Sequence, residues 1–259
     1  MSFAKKILKI AAVALLVIGL FGNATPASAA YSQIVHSFAA GGAATSVTTG
    51  NLTTTGGDLI IVAVTDYSVS SLGSVSDNKS NTWTQLTAQT GSVARTTFWY
   101  AKNPTVGSNH TFTYSGCSGT CYPTIYVQVW SGSDLTAPFD VENGAKDSGL
   151  TTIQTGSITP NNANSLVVSA VNFWTNTNNP TVDSSMTLDD SRVYNPGFEF
   201  GGGIAYIVQG SAAAINPTWS ANVSGGNAAV IAAFKAASGG GGGGTPAARR
   251  RSPSPNIID

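Results

Sequence analysis

Leu59-Ile60-Ile61-Val62-Ala63-Val64 and Leu166-Val167-Val168-Ser169-Ala170-Val171 are two nearly unbroken apolar runs of six residues, rich in β-branched side chains. Each is too short for a helix, and neither shows the alternation of a strand with one wet face. Runs of this kind read as strands covered on both faces, placed centrally in their sheets.

Outward from these runs, short apolar or alternating segments recur between clusters of Gly, Asn, Ser and Pro, and helical periodicity is absent. The pattern predicts strands near 31–38, 45–53, 58–67, 83–89, 94–102, 109–115, 123–131, 139–146, 151–158, 164–174, 186–194, 203–210, 215–221 and 227–236. Between Thr124 and Trp130 the alternation is cleaner: Ile125, Val127 and Val129 form an aliphatic face, expected to point at the core, opposite Tyr126, Gln128 and Trp130. Thr49-Gly50-Asn51-Leu52 precedes the first buried run as Thr155-Gly156-Ser157-Ile158 precedes the second, 106 residues later. Phe98-Trp99-Tyr100-Ala101 is echoed by Ile204-Ala205-Tyr206-Ile207 at the same offset, and Val129-Trp130-Ser131 by Ala233-Phe234-Lys235 at 104. The expected fold is therefore an all-β, antiparallel β-sandwich, jelly-roll-like, built from two pattern-related and interleaved halves.

Lys5, Lys6 and Lys9, the apolar run Ile10 to Phe21 and the small residues Ala27-Ser28-Ala29 predict a secretory signal peptide over 1–29, cleaved after Ala29. One sandwich domain is expected over 30–238, and a Gly-rich linker with a disordered tail over 239–259. Residues 30–238 carry six basic against eleven acidic side chains, a net of five negative charges hidden in the neutral total of the whole chain. That balance argues against nucleic acid as a partner, and no membrane contact is expected once the signal is removed. The only cysteines, Cys117 and Cys121, are expected to pair in an oxidising compartment. Closing so small a loop contributes roughly 2 kcal/mol, enough to stiffen a loop tip. A zinc site would need both of them together with His36 and His110, the only histidines, so no metal is expected.

The chain lacks a G-x-S-x-G elbow, an H-E-x-x-H pair and a phosphate-binding glycine loop, so neither an enzyme activity nor a cofactor is expected. Glycosidase chemistry needs two carboxylates across a cleft, and the only glutamates are Glu142 and Glu199. Asp189 and Asp190, adjacent in a predicted strand, should face opposite ways. Asp77-Asn78-Lys79-Ser80-Asn81 and Asp140-Val141-Glu142-Asn143 offer oxygen ligands, but in the manner of turns that bond their own backbone. The most irregular stretch, Asn172 to Gly203, holds the candidate ligand-binding residues Trp174, Asp190, Arg192 and Tyr194, aromatic and polar groups of the kind that hold sugars.

GDLIIVAVTDY (57–67), SDNKSNTWTQL (76–86), FWYAKNPTVGSNHTFTYS (98–115), YPTIYVQVWSGSDLTAPFDVENGA (122–145) and AVIAAFKA (229–236) together resemble an uncharacterised class of secreted β-sandwich surface modules of environmental bacteria. Members occur singly or in tandem, often beside Gly-rich linkers. The resemblance covers nearly all of 31–237 and implies a sandwich at the cell surface or outside the cell; it brings no catalytic or ligand residues. The expected function is a non-catalytic extracellular module acting in adhesion, surface architecture or carbohydrate contact. The competing expectation is an accessory domain of a secreted glycan-active hydrolase, or a degenerate enzyme.

Overall fold

The computed structural model describes residues 30–67 and 71–238, so the signal-peptide and tail expectations fall outside the described residues. These contain fifteen strands, numbered in chain order, and no helix. One antiparallel sheet runs β1 (Ser32–Ala40), β9 (Thr124–Ser131), β3 (Leu59–Tyr67), β7 (Ala94–Lys102), β5 (Thr84–Gln85), with β6 (Gln89–Thr90) also on β7. A second runs β10 (Phe139–Gln154), β15 (Thr218–Phe234), β11 (Ser165–Phe173), β14 (Gly201–Gln209), β13 (Thr187–Arg192), with β12 (Thr181–Val182) on β15. A small third sheet runs β2 (Ser46–Thr48), β8 (Phe112–Ser115), β4 (Ser74–Asp77).

The two large sheets repeat one topology. Leu59 pairs with Trp130 as Leu166 pairs with Phe234, and Thr84 with Tyr100 as Thr187 with Tyr206. Even the irregularity at Gln33/Val35 recurs at Phe139/Val141. The small sheet has its counterpart where Ile153, Trp219 and Val182 align as Val47, Tyr114 and Val75 do. The halves do not interleave: each supplies a complete large sheet and its own outer layer. Sequence-adjacent strands reach their partners within one half, so no crossing between the two sheets is required.

Both apolar runs lie inside their sheets and are buried throughout, as their lack of alternation required. Leu59, Ile61, Phe98, Tyr126 and Trp130 meet Leu166, Val168, Ile204, Val230 and Phe234 between the large sheets. Ile60, Val62, Ile125, Val127 and Val129 instead face Val47, Val75, Phe112 and Tyr114 of the small sheet. The aliphatic face of β9 thus points at a core as expected, and its aromatic face is core too, lying between the large sheets. In the second half, β10 and β15 run on from the large sheet into the outer layer. The first half breaks at the same two places, and one of those breaks carries the Cys117–Cys121 disulfide. Both cysteines are buried against the small sheet, and the bridge closes the short exposed loop 118–120 between β8 and β9, as expected.

Polar groups tie the sheets together. Asn172 Nδ2 donates to the carbonyls of Asp66 and Arg95, each at 3.0 Å, and Thr96 Oγ1 donates to the carbonyl of Ala228 at 2.8 Å. Asp189 and Asp190 both reach the first half, against expectation, because a register shift between Leu188 and Asp190 breaks the alternation of β13. Asp189 accepts from Gln33 and Gln128, and Asp190 lies 3.0 Å from His36 Nδ1.

Candidate functional site

Where β3 and β11 end and β9 and β14 begin, the two halves enclose a cleft of about 240 Å³. The first half contributes Tyr67 and Tyr122; the second contributes Trp174, Tyr194, Glu199 and Phe200, with Asn195 and Gly197 at the rim. Each wall is set by backbone. Tyr67 N–H donates to the carbonyl of Cys121 at 2.8 Å, which places Tyr67 and Tyr122 beside each other next to the disulfide. Trp174 N–H donates to the carbonyl of Gly226 at 3.1 Å, and a Cβ at Gly225 would overlap the Trp174 carbonyl oxygen. The loop carrying Glu199 is closed by Asn195 and Glu199, whose N–H groups donate to each other's carbonyls at 3.0 Å. Tyr122 and Thr175 hold positive φ angles of 48° and 70°. Strained residues of this kind concentrate at ligand clamps and active sites.

The rings stand at several angles. Tyr67 lies nearly parallel to Phe200, at 5.9 Å and 26°, whereas Tyr122 is perpendicular to it, at 6.2 Å and 89°. Tyr194 is tilted 45° to the same ring. Trp174 is 38% exposed. Glu199 is the one carboxylate of the lining, and no Lys, Arg or His lines the cleft. Burial pushes its acidity up from the ordinary carboxylate range, opposed by the charge of Arg192. Its Oε2 is buried and takes no hydrogen bond from any described residue.

Of the four candidate residues, the structure brings Trp174 and Tyr194 together in the cleft and places Asp190 and Arg192 on the seam with β1. Arg192 lies over the ring of Phe38, its Cζ 3.2 Å from the centroid. Tyr67, Tyr122 and Phe200 were not singled out from sequence, since each reads there as a strand-end aromatic. Glu142 is held by the N–H and Oγ1 of Thr87, on a strand three spacings, roughly 14 Å, from the strand that Glu199 precedes. The two glutamates therefore do not face one another across a cleft. The Asp77 turn is occupied by its own chain: Oδ1 accepts from the N–H of Lys79 and Asn81, and Oδ2 from Trp83 Nε1. Asp140 is likewise bonded to Asn161. The disulfide, His36 and His110 lie at three separate places, and no group of three metal-ligating side chains converges among the described residues. Two broader depressions near Lys146 and Asp147, of about 420 and 430 Å³, offer no aromatic faces.

The His36–Asp190 contact makes the seam sensitive to pH. The bond from Asp190 raises the affinity of His36 for its proton, reinforced by the charge of Asp189 and opposed by desolvation. A histidine with a raised folded-state value contributes stability that is complete below its unfolded value near 6.5 and fades as pH rises through the folded one. The unfolding midpoint of the wild type should therefore exceed that of His36→Gln at pH 6 and converge with it by about pH 8.5, a small effect for a half-exposed pair, below about 1 kcal/mol. His110, buried beside Thr54 and Asp77, is shifted the opposite way and is common to both proteins. A constant offset across that range in thermal melts would refute the ion pair.

No family model, curated protein or solved structure matches the chain.

Proposed function

We propose that the protein is a non-catalytic extracellular or cell-surface module that holds a projecting group of a surface glycan in the cleft between its halves. The carrying observation is that the half-exposed Trp174 lines one cleft with Tyr67, Tyr122 and Tyr194, together with a single carboxylate and an amide. Loops set on a rigid sandwich are the usual place for binding groups, and aromatic faces with a few fixed polar groups are the usual lining. The volume lies below the roughly 300–1,000 Å³ of drug-sized pockets, which suits one terminal unit better than a length of chain. Double-displacement or inverting hydrolysis needs a second carboxylate, and the lining has one, which favours contact over the reading as a hydrolase accessory domain or degenerate enzyme.

Glycan-array retention tests this. Trp174→Ala and Tyr194→Ala should each weaken retention by roughly tenfold or more, the equivalent of about 1.4 kcal/mol. Their unfolding midpoints should stay within about 2 °C of wild type, as for most surface substitutions. Release of reducing sugar that vanishes in Glu199→Gln would overturn the non-catalytic reading. Loss of several kcal/mol of stability in either aromatic variant would show that ring to be structural.

A further inference from the structure

Resting on the reading of this cleft as the binding site, we propose that it is a cage for an alkylammonium group of the choline or trimethylammonium kind. Three features point there. A platform for a flat sugar face needs one ring or several coplanar ones, but here Tyr67 and Tyr122 stand nearly parallel and perpendicular to Phe200, so the rings that line the cleft do not share a plane. Ring faces carry negative potential, and a cation enclosed by several of them is attracted by each. Trp174, the strongest ring of this type, is in the lining and is 38% exposed.

Charge agrees with shape. Glu199 is the only ionisable group of the lining apart from the tyrosines, and its buried Oε2 lacks a hydrogen-bond partner among the described residues. Arg192, whose charge acts on it, lies over the Phe38 ring and makes no ion pair with it among the described residues. An incoming ammonium would neutralise a desolvated carboxylate without needing a hydrogen bond of its own. A phosphate or carboxylate ligand would meet the opposite, a cleft with no positive side chain in its wall.

Calorimetric titration with choline chloride, and with its uncharged isostere 3,3-dimethylbutan-1-ol, tests the cage on the intact protein. Choline should bind saturably and the isostere at least about tenfold more weakly, since shape is the same and only the charge differs. Glu199→Gln should weaken choline at least about fivefold while leaving the unfolding midpoint nearly unchanged, because it removes a desolvated charge to which no described side chain donates a hydrogen bond. Trp174→Ala should weaken it too. Retention on phosphatidylcholine vesicles would assign the group to a lipid surface, and choline binding without it to a soluble or polymer-borne substituent; both support the cage. Equal affinity for choline and isostere, or no binding of choline, would overturn it. In that event, retention of neutral glycans that Trp174→Ala abolishes would leave the proposed function standing, whereas its absence would remove both.

Discussion

Arg95→Ala is expected to lower the free energy of unfolding by about 3–5 kcal/mol, the usual result of removing one partner from a buried pair. Arg95 is 4% exposed and Asp66 is fully buried. Arg95 Nε donates to Asp66 Oδ1 at 2.7 Å and Nη2 to Oδ2 at 2.5 Å, while Tyr114 Oη also donates to Oδ2, at 2.7 Å. Arg95 reaches further, to the carbonyl of Ser71 at 3.2 Å. The network fastens β3, β7 and β8, and so holds the outer layer of the first half to its large sheet. Without the guanidinium the carboxylate keeps only the tyrosine and must take up a proton or draw in water. For a domain of this length a loss of that size shifts the thermal midpoint by roughly 10 °C. Arg95→Met combined with Asp66→Leu should recover most of it, because no unpaired charge remains. A single variant melting within about 2 °C of wild type would show that the pair is replaceable by solvent.

Trp219→Ala should cost a similar amount, about 3–5 kcal/mol, through a different cause. Trp219 occupies in the second half the place of Tyr114 in the first, between Ile153 and Val182 as Tyr114 lies between Val47 and Val75. It is fully buried, with Phe173, Ile158 and Ile215 in the same cluster. Its Nε1 donates to Ser169 Oγ at 2.8 Å, and Ser169 in turn donates to the carbonyl of Val230 at 3.0 Å. Truncation leaves a cavity that flat, hydrogen-bonded strands close poorly. Trp219→Phe retains much of the volume and loses the hydrogen bond, so about 1–2 kcal/mol is expected. Chemical denaturation of the three proteins measures the series. Equal losses for the two substitutions would mean that the hydrogen bond, and not the packing, holds this layer.

The contrast with Trp174 is instructive, since both tryptophans sit in stretches of similar composition near strand ends. Trp219 follows Pro217-Thr218 into a long strand, and Trp174 follows Val171-Asn172-Phe173 out of one. Composition does not say that one is sealed and the other half open. The grouping of Trp174 with Tyr194 was legible, because the irregular segment between Asn172 and Gly203 marks a loop on a rigid frame. Their partners Tyr67 and Tyr122 were not, since they belong to the other half and meet the loop only after the large sheets have stacked.

Apolar runs and turn residues determined by themselves that the chain is all-β, that Leu59–Val64 and Leu166–Val171 are covered on both faces, and that two halves repeat with an offset of about 106 residues. Those features depend on side chains a few residues apart and on which residues tolerate a turn, both local properties. The tertiary structure decided that the halves lie as two separate sheets, that the shift at Leu188–Asp190 turns both carboxylates the same way, and that five aromatic side chains line one cleft with Glu199. A period of two states which residues share a face but not which faces meet, and where both faces are buried even that signal is lost. Which face meets which is settled by packing between residues about a hundred positions apart, where the chain pattern carries no information.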